Sequence, residues 1–424
     1  MSNFDTIDFF TDPSLVVDPM PYFEYLRSKG PITPLPLRNT MGVTGYEEAV
    51  AIINDPKTFS SANAATGPIP DYPFTPEGDD ISEMLDAHRH EMLATGMVVA
   101  KDGLEHANHR ALLMRLFTPT RLKESQEYLS TLAGELIDDM IDKGHCDLIS
   151  EFATPYATMV IANLLGVPED DRKLFCEKLG PPPGVVGEDV SYEEVTAQGF
   201  MFLFEYFAGY IAERQASPCG DVLSDLATSK FPDGTTPEVM DLVWLAAFLF
   251  GAGQDTTARL LGASLKIFAE HPELQEQVRA DRSLIPAFIE EVVRFEGPVK
   301  CASRLAVKTT TVAGVEIKAG TTLAMFYGAA NRDPRKFENP NEFRLDRPRS
   351  REHIGFGRGA HTCAGMALAR AEITACLEQI LDRVGNIQLS ESKHGKASDR
   401  HFSYEPIYTL RALKSLHLEF TKIK

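Results

Sequence analysis

Apolar residues recur along this chain mostly at three- and four-residue intervals, the spacing that lines one face of a helix. Residues 19–29 and 47–54 predict helices around a strand-like run at 32–43. From 105 to about 230 the pattern stays mostly helical. Thr118-Pro119 offers an N-cap followed by a proline suited to the first turn, and Thr236-Pro237-Glu238 predicts another helix start by the same logic. The helix beginning there continues to about residue 269, before His271-Pro272, which makes it roughly 50 Å long. It is apolar almost all round near 242–250, so it should cross the interior. A further helix covers 284–295. A β-rich part follows at 304–307, 309–317 and 322–326, then an irregular meander at 331–348. The last long helix runs from near Cys363 to near Val384, and short strands finish the chain.

Two stretches interrupt this rhythm. Residues 60–101 are irregular, with one helical patch near 81–93, and a long irregular segment of this kind is often a functional lid. Residues 180–189, Gly-Pro-Pro-Pro-Gly-Val-Val-Gly-Glu-Asp, read as an exposed, mobile loop. There is no internal repeat, low-complexity tract or charged linker. The length prior of roughly 150 residues per domain therefore yields to a single domain over residues 1–424.

Composition narrows the function. Lys and Arg total 42 against 61 Asp and Glu, a formal charge of −19. That argues against nucleic acid as a partner and against electrostatic attachment to an anionic membrane. Cysteines at 146, 176, 219, 301, 363 and 376 form no C-x-x-C pair, so neither a disulfide framework nor a zinc ribbon is expected. A reducing cytoplasm is the simplest setting. The N-terminus lacks a basic, then apolar, leader. The most apolar run, 242–253, is shorter than the about 20 residues of a membrane span, so no membrane anchor is expected.

The sharpest chemistry lies at 353–365, His-Ile-Gly-Phe-Gly-Arg-Gly-Ala-His-Thr-Cys-Ala-Gly. Two glycines, 357 and 359, permit positive φ or close approach to a flat ligand. Cys363 then meets a helix N-terminus, where free N–H groups favour thiolate. Thiolate is a strong electron donor to haem iron. A small buried cysteine in a glycine loop is the plain alternative. The window resembles the cysteine-ligand loop of the cytochrome P-450 family, Phe-Gly-x-Gly-x-His-x-Cys-x-Gly, at Phe356, Gly357, Gly359, His361, Cys363 and Gly365. The resemblance implies haem b (iron protoporphyrin IX) with Cys363 as the iron ligand.

Three further patterns follow in that family's order. Residues 251–257, Gly-Ala-Gly-Gln-Asp-Thr-Thr, place small and polar residues inside the long helix. The Thr256 hydroxyl can compete for the Ala252 carbonyl and open the helix ladder into a notch; a satisfied threonine at a softened kink is the alternative. The resemblance makes Asp255 a proton relay and Thr256 the group that steadies activated oxygen. Glu291-Val-Val-Arg294 is, by itself, an ordinary i, i+3 surface pair. The resemblance instead makes it a structural lock with Arg347 of the meander. His106 and Arg110, four apart on one helix face, join Arg304 and His361 as donors suited to carboxylates. The resemblance assigns these four to the haem propionates. His88 and His90, two apart, read as solvated rather than as a metal pair.

The resemblance spans essentially the whole chain. It implies a mainly α, triangular haem protein with a smaller β-rich part, of the soluble bacterial type. The implied activity is a monooxygenase that uses dioxygen to hydroxylate a small, neutral hydrophobic substrate: a terpenoid, aromatic or steroid-like compound. Electrons would come from separate partners, a ferredoxin and its ferredoxin reductase. Arg110, Arg115, Arg121, Lys123, Arg358 and Arg370 are then candidates for a locally basic docking face. Family position puts Ala247, Phe248, Gly251, Val299 and Ile407 along the substrate pocket, with core packing the alternative for each. A haem-thiolate peroxygenase or other relative is one rival, but the acid–alcohol pair Asp255-Thr256 is intact. A haem-based sensor is the other, but no DNA-binding or signalling module accompanies the chain.

Overall fold

The computed structural model describes residues 4–36, 39–69, 71–179 and 192–423, with backbone alone over 192–197. The loop expected at 180–189 lies outside the described residues. The long apolar pattern forms one helix, Val239–Glu270, whose 32 residues cross the main core. Tyr192–Ala216 and Thr154–Leu164 pack along it, and Ile285–Glu296 and Met366–Arg383 pack on it from other directions. Pro119–Ile141 covers Met366–Arg383 in turn. The start of Pro119–Ile141 follows its signal, with Thr118 Oγ1 accepting from the Arg121 N–H at 3.3 Å.

The central helix begins later than expected. Its cap is Glu238, not Thr236: the Glu238 side chain accepts from the third-residue N–H, and Asp241 accepts from the Glu238 N–H at 3.2 Å. Two reciprocal bonds satisfy two orphan donors where a threonine satisfies one.

The β-rich part is a five-stranded sheet in the order Ile32–Pro34, Thr40–Val43, Thr322–Phe326, Cys301–Ala306, Phe59–Ser60. Thr40–Val43 runs parallel to Thr322–Phe326, and the other pairings are antiparallel. Two runs expected to be continuous are hairpins. Residues 32–43 divide into two paired strands. Residues 309–317 fold back at Ala313 and Gly314, with φ of +49° and +78°. A positive-φ pair matches the twist of a tight hairpin. A second sheet joins His145–Asp147, His417–Lys422 and Val384–Leu389.

The meander is fixed by buried charge. Glu291 and Arg294 have fully buried side chains, and Arg347 is nearly so. Arg294 donates to both Glu291 carboxylate oxygens at 2.7 Å, and Arg347 Nε donates to them at 2.8 and 3.1 Å. The remaining guanidinium N–H groups reach the carbonyls of Asn331, Glu338, Asn339, Pro340 and Glu342. Removing one partner of such a network strands the others at roughly 3–5 kcal/mol, a large part of a typical 5–15 kcal/mol total. Glu291→Ala is therefore expected to lower Tm sharply and to yield little haem-loaded protein. A wild-type Tm and haem-to-protein absorbance ratio would refute this role.

Candidate active site

The 353–365 segment closes on itself through local backbone bonds. The Gly357 N–H donates to Ile354 O at 2.9 Å and the Cys363 N–H to Phe356 O at 2.8 Å. Gly357 and Gly359 have φ of +66° and +65°. At Gly359 a Cβ would also lie 2.9 Å from Asn54 Oδ1, so both conformation and space require glycine. Helix Met366–Arg383 follows at once. Deep surroundings raise the Cys363 thiol pKa, opposed by the N–H groups of Gly365 and Met366 and by Arg110 and Arg370.

The loop is held from behind by Glu290, which the sequence reading passed over. It accepts from His353 Nε2 at 3.0 Å and from Arg370 at 2.5 and 3.0 Å. Burial pushes this carboxyl up, but His353 and Arg370 outweigh it and bring the pKa to about 2. Arg370 also lies over the Phe356 ring, 4.8 Å from its centroid.

Beside the loop, the structure brings together His106 and Arg110 from Gly103–Met114, Arg304 from Cys301–Ala306, and His361. The two imidazoles stack with centroids 3.9 Å apart. Burial, then Arg304 and His106, push the His361 pKa down to about 3. Burial and Arg110 also lower that of His106. Arg110 donates to Thr362 O, and Arg304 to Ser303 O at 2.8 Å. The carboxylate acting on both imidazoles is Asp102, and it is already engaged by the Ser61 N–H at 2.9 Å, Arg89 at 2.8 Å and the Ser60 hydroxyl. Four donors thus converge where acceptors are scarce. That set fits a ligand bearing two carboxylates, and haem b bears two propionates.

In the central helix, residues 251–256 are all half-buried, although the helix is otherwise largely buried. A Cβ on Gly251 would meet nothing within 4 Å. The Thr256 hydroxyl donates to Ala252 O at 2.7 Å, yet the helix runs unbroken. The expected opening of the ladder is absent because a carbonyl oxygen has two lone pairs and accepts the hydroxyl as a second partner. Asp255 forms a two-pronged pair with Arg259, at 2.8 and 2.5 Å, and is about one-third exposed. The i, i+4 spacing of an acid and a base was the available signal for Arg259.

On the opposite side, Thr257 Oγ1 donates to Glu372 Oε2 at 2.8 Å. Glu372 comes from Met366–Arg383 and is buried. Its pKa is pushed up to about 7 by burial, despite the Thr257 bond. Nothing local in the sequence marks this contact, since the partners are 115 residues apart.

The expected pocket residues divide. Phe248, Gly251, Val299 and Ile407 are half-buried, whereas Ala247 is wholly buried in the core. The 60–101 segment contains helix Ser82–His88 and packs Gly96 against Trp244 so closely that a Cβ would lie 2.3 Å from the indole. His88 pairs with Glu91 at 2.7 Å. Among the described residues no helix is long and apolar enough to cross a membrane.

Comparison with known proteins agrees with this geometry. Residues 192–385 match the sequence profile of the cytochrome P-450 family. The chain is 33% identical to cytochrome P-450 144 of Mycobacterium tuberculosis over 387 residues, 89% of this chain and 85% of that protein. It superimposes on the substrate-free structure of Mycobacterium marinum cytochrome P-450 CYP150A6 with a TM-score of 0.93 and 49% identity, covering 100% of both chains. Bacillus megaterium CYP109E1 in complex with corticosterone is 25% identical, with a TM-score of 0.79 over 96% of this chain and 99% of that one. The chain belongs to the cytochrome P-450 family: it is a haem-thiolate monooxygenase with the family's mainly helical fold, and its haem b is bound through a cysteine thiolate.

The raised Glu372 pKa has a sign that can be measured. At low pH both folded and unfolded states hold the proton. As pH rises from about 4.5 towards 7, the unfolded chain ionises while the folded one does not, so stability falls. Above 7 the loss is complete, at roughly 3 kcal/mol. Glu372→Gln retains an acceptor for Thr257 and removes the titration. The Tm difference between variant and wild type should move in the variant's favour from pH 5 to pH 8. A difference that does not change with pH would sink this reading.

Proposed function

We propose that the chain hydroxylates a small hydrophobic substrate with dioxygen, using electrons from a separate ferredoxin and ferredoxin reductase, in the cytoplasm and within one domain over residues 1–424. The observation that carries this reading is the acid–alcohol pair Asp255-Thr256, intact in the half-buried stretch of the central helix. Haem b, when bound, supplies iron at which dioxygen is activated. Cys363 is its ligand. Arg110, Arg304, His106 and His361 hold its carboxylates, and Phe356, Gly357 and Gly365 shape the loop. Because Thr256 donates to Ala252 O, its lone pairs remain free to accept from a proton donor. Asp255, held by Arg259 and about one-third exposed, is the group we assign as the proton relay from solvent. Glu291, Arg294 and Arg347 keep the loop in place and take no part in the chemistry.

Lys300, next to Val299 of the expected pocket, is buried without a hydrogen-bond partner, and burial followed by Arg411 lowers its pKa to about 7. It therefore offers no firmly charged anchor, which favours a neutral substrate. The corticosterone bound in one relative supports a ring-bearing compound. For the electron donor, a hollow of about 310 Å³ over the outer face of the cysteine loop is lined by Arg351, Arg358 and Arg370. Three guanidiniums there suit an acidic partner despite the overall charge of −19. Arg115 instead reaches Ser229 and Lys230 O, and Arg121 pairs with Asp225.

Two variants test the assignment. Cys363→Ala should abolish the thiolate-shifted Soret band of the reduced carbon-monoxide complex; its retention would exclude Cys363 as ligand. Thr256→Ala should load haem and bind substrate normally, but yield about one-tenth or less of the wild-type product per electron pair, the remainder appearing as hydrogen peroxide or water. Wild-type coupling would remove Thr256 from the mechanism. Turnover with peroxide alone at the rate of the full electron chain would favour the peroxygenase reading.

A further inference from the structure

His109 belongs to none of the motifs, yet it is buried on the helix that carries His106 and Arg110. Its Nδ1 lies 2.8 Å from Glu105 O, one turn back on the same helix. Its Nε2 lies 3.2 Å from Oδ1 of Asp241, in the first turn of the central helix, and has no hydrogen-bond partner. The other Asp241 oxygen accepts from the Glu238 N–H and so completes the cap of that helix. The Phe231 ring lies beside the imidazole, 5.2 Å between centroids. The charged groups on the elements packed round the ring are engaged elsewhere or lie in solvent. Glu105 pairs with Lys101, and Asp102 with Arg89. Arg110 and Arg115 donate to Thr362 O and Lys230 O, and His106 stacks on His361. Glu238 caps the central helix, and Lys230 and Asp233 are exposed. Among the described residues, Asp241 is the one acid within ion-pair reach of His109.

We infer that His109 is held as an imidazolium, and that its pair with Asp241 pins the helix bearing His106 and Arg110 to the capped end of the central helix. A carbonyl oxygen has no proton to give, so Nδ1 must carry one to meet Glu105 O. A neutral ring would then turn a lone pair on Nε2 towards the Asp241 carboxylate. Only a second proton makes that contact attractive. The pair adds no net charge, because Asp241 neutralises the ring. Loss of the Nε2 proton leaves two acceptors opposed in a buried place, and the contact between the two helices is lost with it. His106, three residues before His109, and Arg110, one after it, then lose a fixed support. His109 is thus a positioning residue that acts through those two donors, a consequence that rests on the haem-site reading above. The sign with pH is set by the pair. The unfolded chain lacks it, so the support is complete where histidine is protonated and is lost as rising pH removes the proton.

The test uses haem-loaded ferrous carbon-monoxide protein, which is diamagnetic, labelled with 15N-histidine. Long-range 1H–15N spectra between about pH 6 and pH 9 show whether both ring nitrogens carry a proton, across the range where histidine titrates. His109→Gln assigns the signal by subtraction. Haem transfer to excess apomyoglobin gives the release rate at each pH. Wild-type His109 should be doubly protonated at the acid end. Asp241→Asn keeps an acceptor for the Glu238 N–H, and there His109 should give up its proton at lower pH. At the acid end Asp241→Asn should release haem about fivefold or more faster than wild type, the scale of one net hydrogen bond. That ratio should fall towards one as the wild-type ring loses its proton. A neutral His109 at the acid end overturns the inference, as does a titration that Asp241→Asn leaves unchanged. A release ratio that does not follow the protonated fraction overturns the positioning role. Arg110→Gln is measured alongside: wild-type haem release in that variant counts against the haem-site reading, whereas the spectra report the His109–Asp241 pair independently of it.

Discussion

The carboxylate of Glu291 is the point on which the cysteine loop depends. Two guanidiniums share it, and all three groups lie out of reach of water. Such burial is unfavourable unless every polar atom finds a partner. Here the carbonyls of the meander supply those partners, so the unfavourable desolvation is offset only when the meander takes one path. Glu290 extends the constraint. It grips His353 before the loop and Arg370 after it, while Asn331 Oδ1 accepts from the Ile354 N–H at 2.8 Å. Two adjacent acids on one helix therefore set both ends of the segment that presents Cys363.

The haem edge obeys a different electrostatic rule. A chain with a net charge of −19 gathers guanidiniums and imidazoles at one place and engages the nearby Asp102 with Arg89. Burial, Arg304 and His106 lower the His361 pKa, so the site disfavours extra positive charge on this ring. Arg110 and Arg304 are the two guanidiniums beside these rings. Adding two imidazolium charges beside them would oppose folding of the apoprotein through mutual repulsion. Stacked neutral rings avoid this and still direct hydrogen bonds.

What could be read from the sequence was what is local. The cysteine loop is a run of fixed spacings, and its geometry is set by its own backbone bonds. The Glu291–Arg294 pair is three residues apart, but its third partner was placed by the order of the motifs alone, since Arg347 lies 56 residues from Glu291. Glu290, Glu372 and Ser61 escaped notice because their partners arrive by tertiary packing. Arg259 was accessible to the helical i, i+4 rule and was overlooked. The element boundaries erred where two local signals competed: Thr236 against the Glu238–Asp241 box, and continuous β-prone runs against the positive φ of Ala313 and Gly314.

Adjacent threonines divide the central helix between two environments. Thr256 and Thr257 are one residue, and so about 100°, apart on the helix. The first returns its proton to Ala252 O and presents lone pairs on the half-buried face where Asp255 meets Arg259 and solvent. The second turns inward and donates to Glu372, a carboxyl that burial keeps largely protonated up to about pH 7. One face thus holds an ion pair in contact with water, and the other a neutral acid in a dry interior. Keeping the helix intact makes this division possible. The Thr257 bond joins this unbroken helix to Met366–Arg383, the helix that follows Cys363.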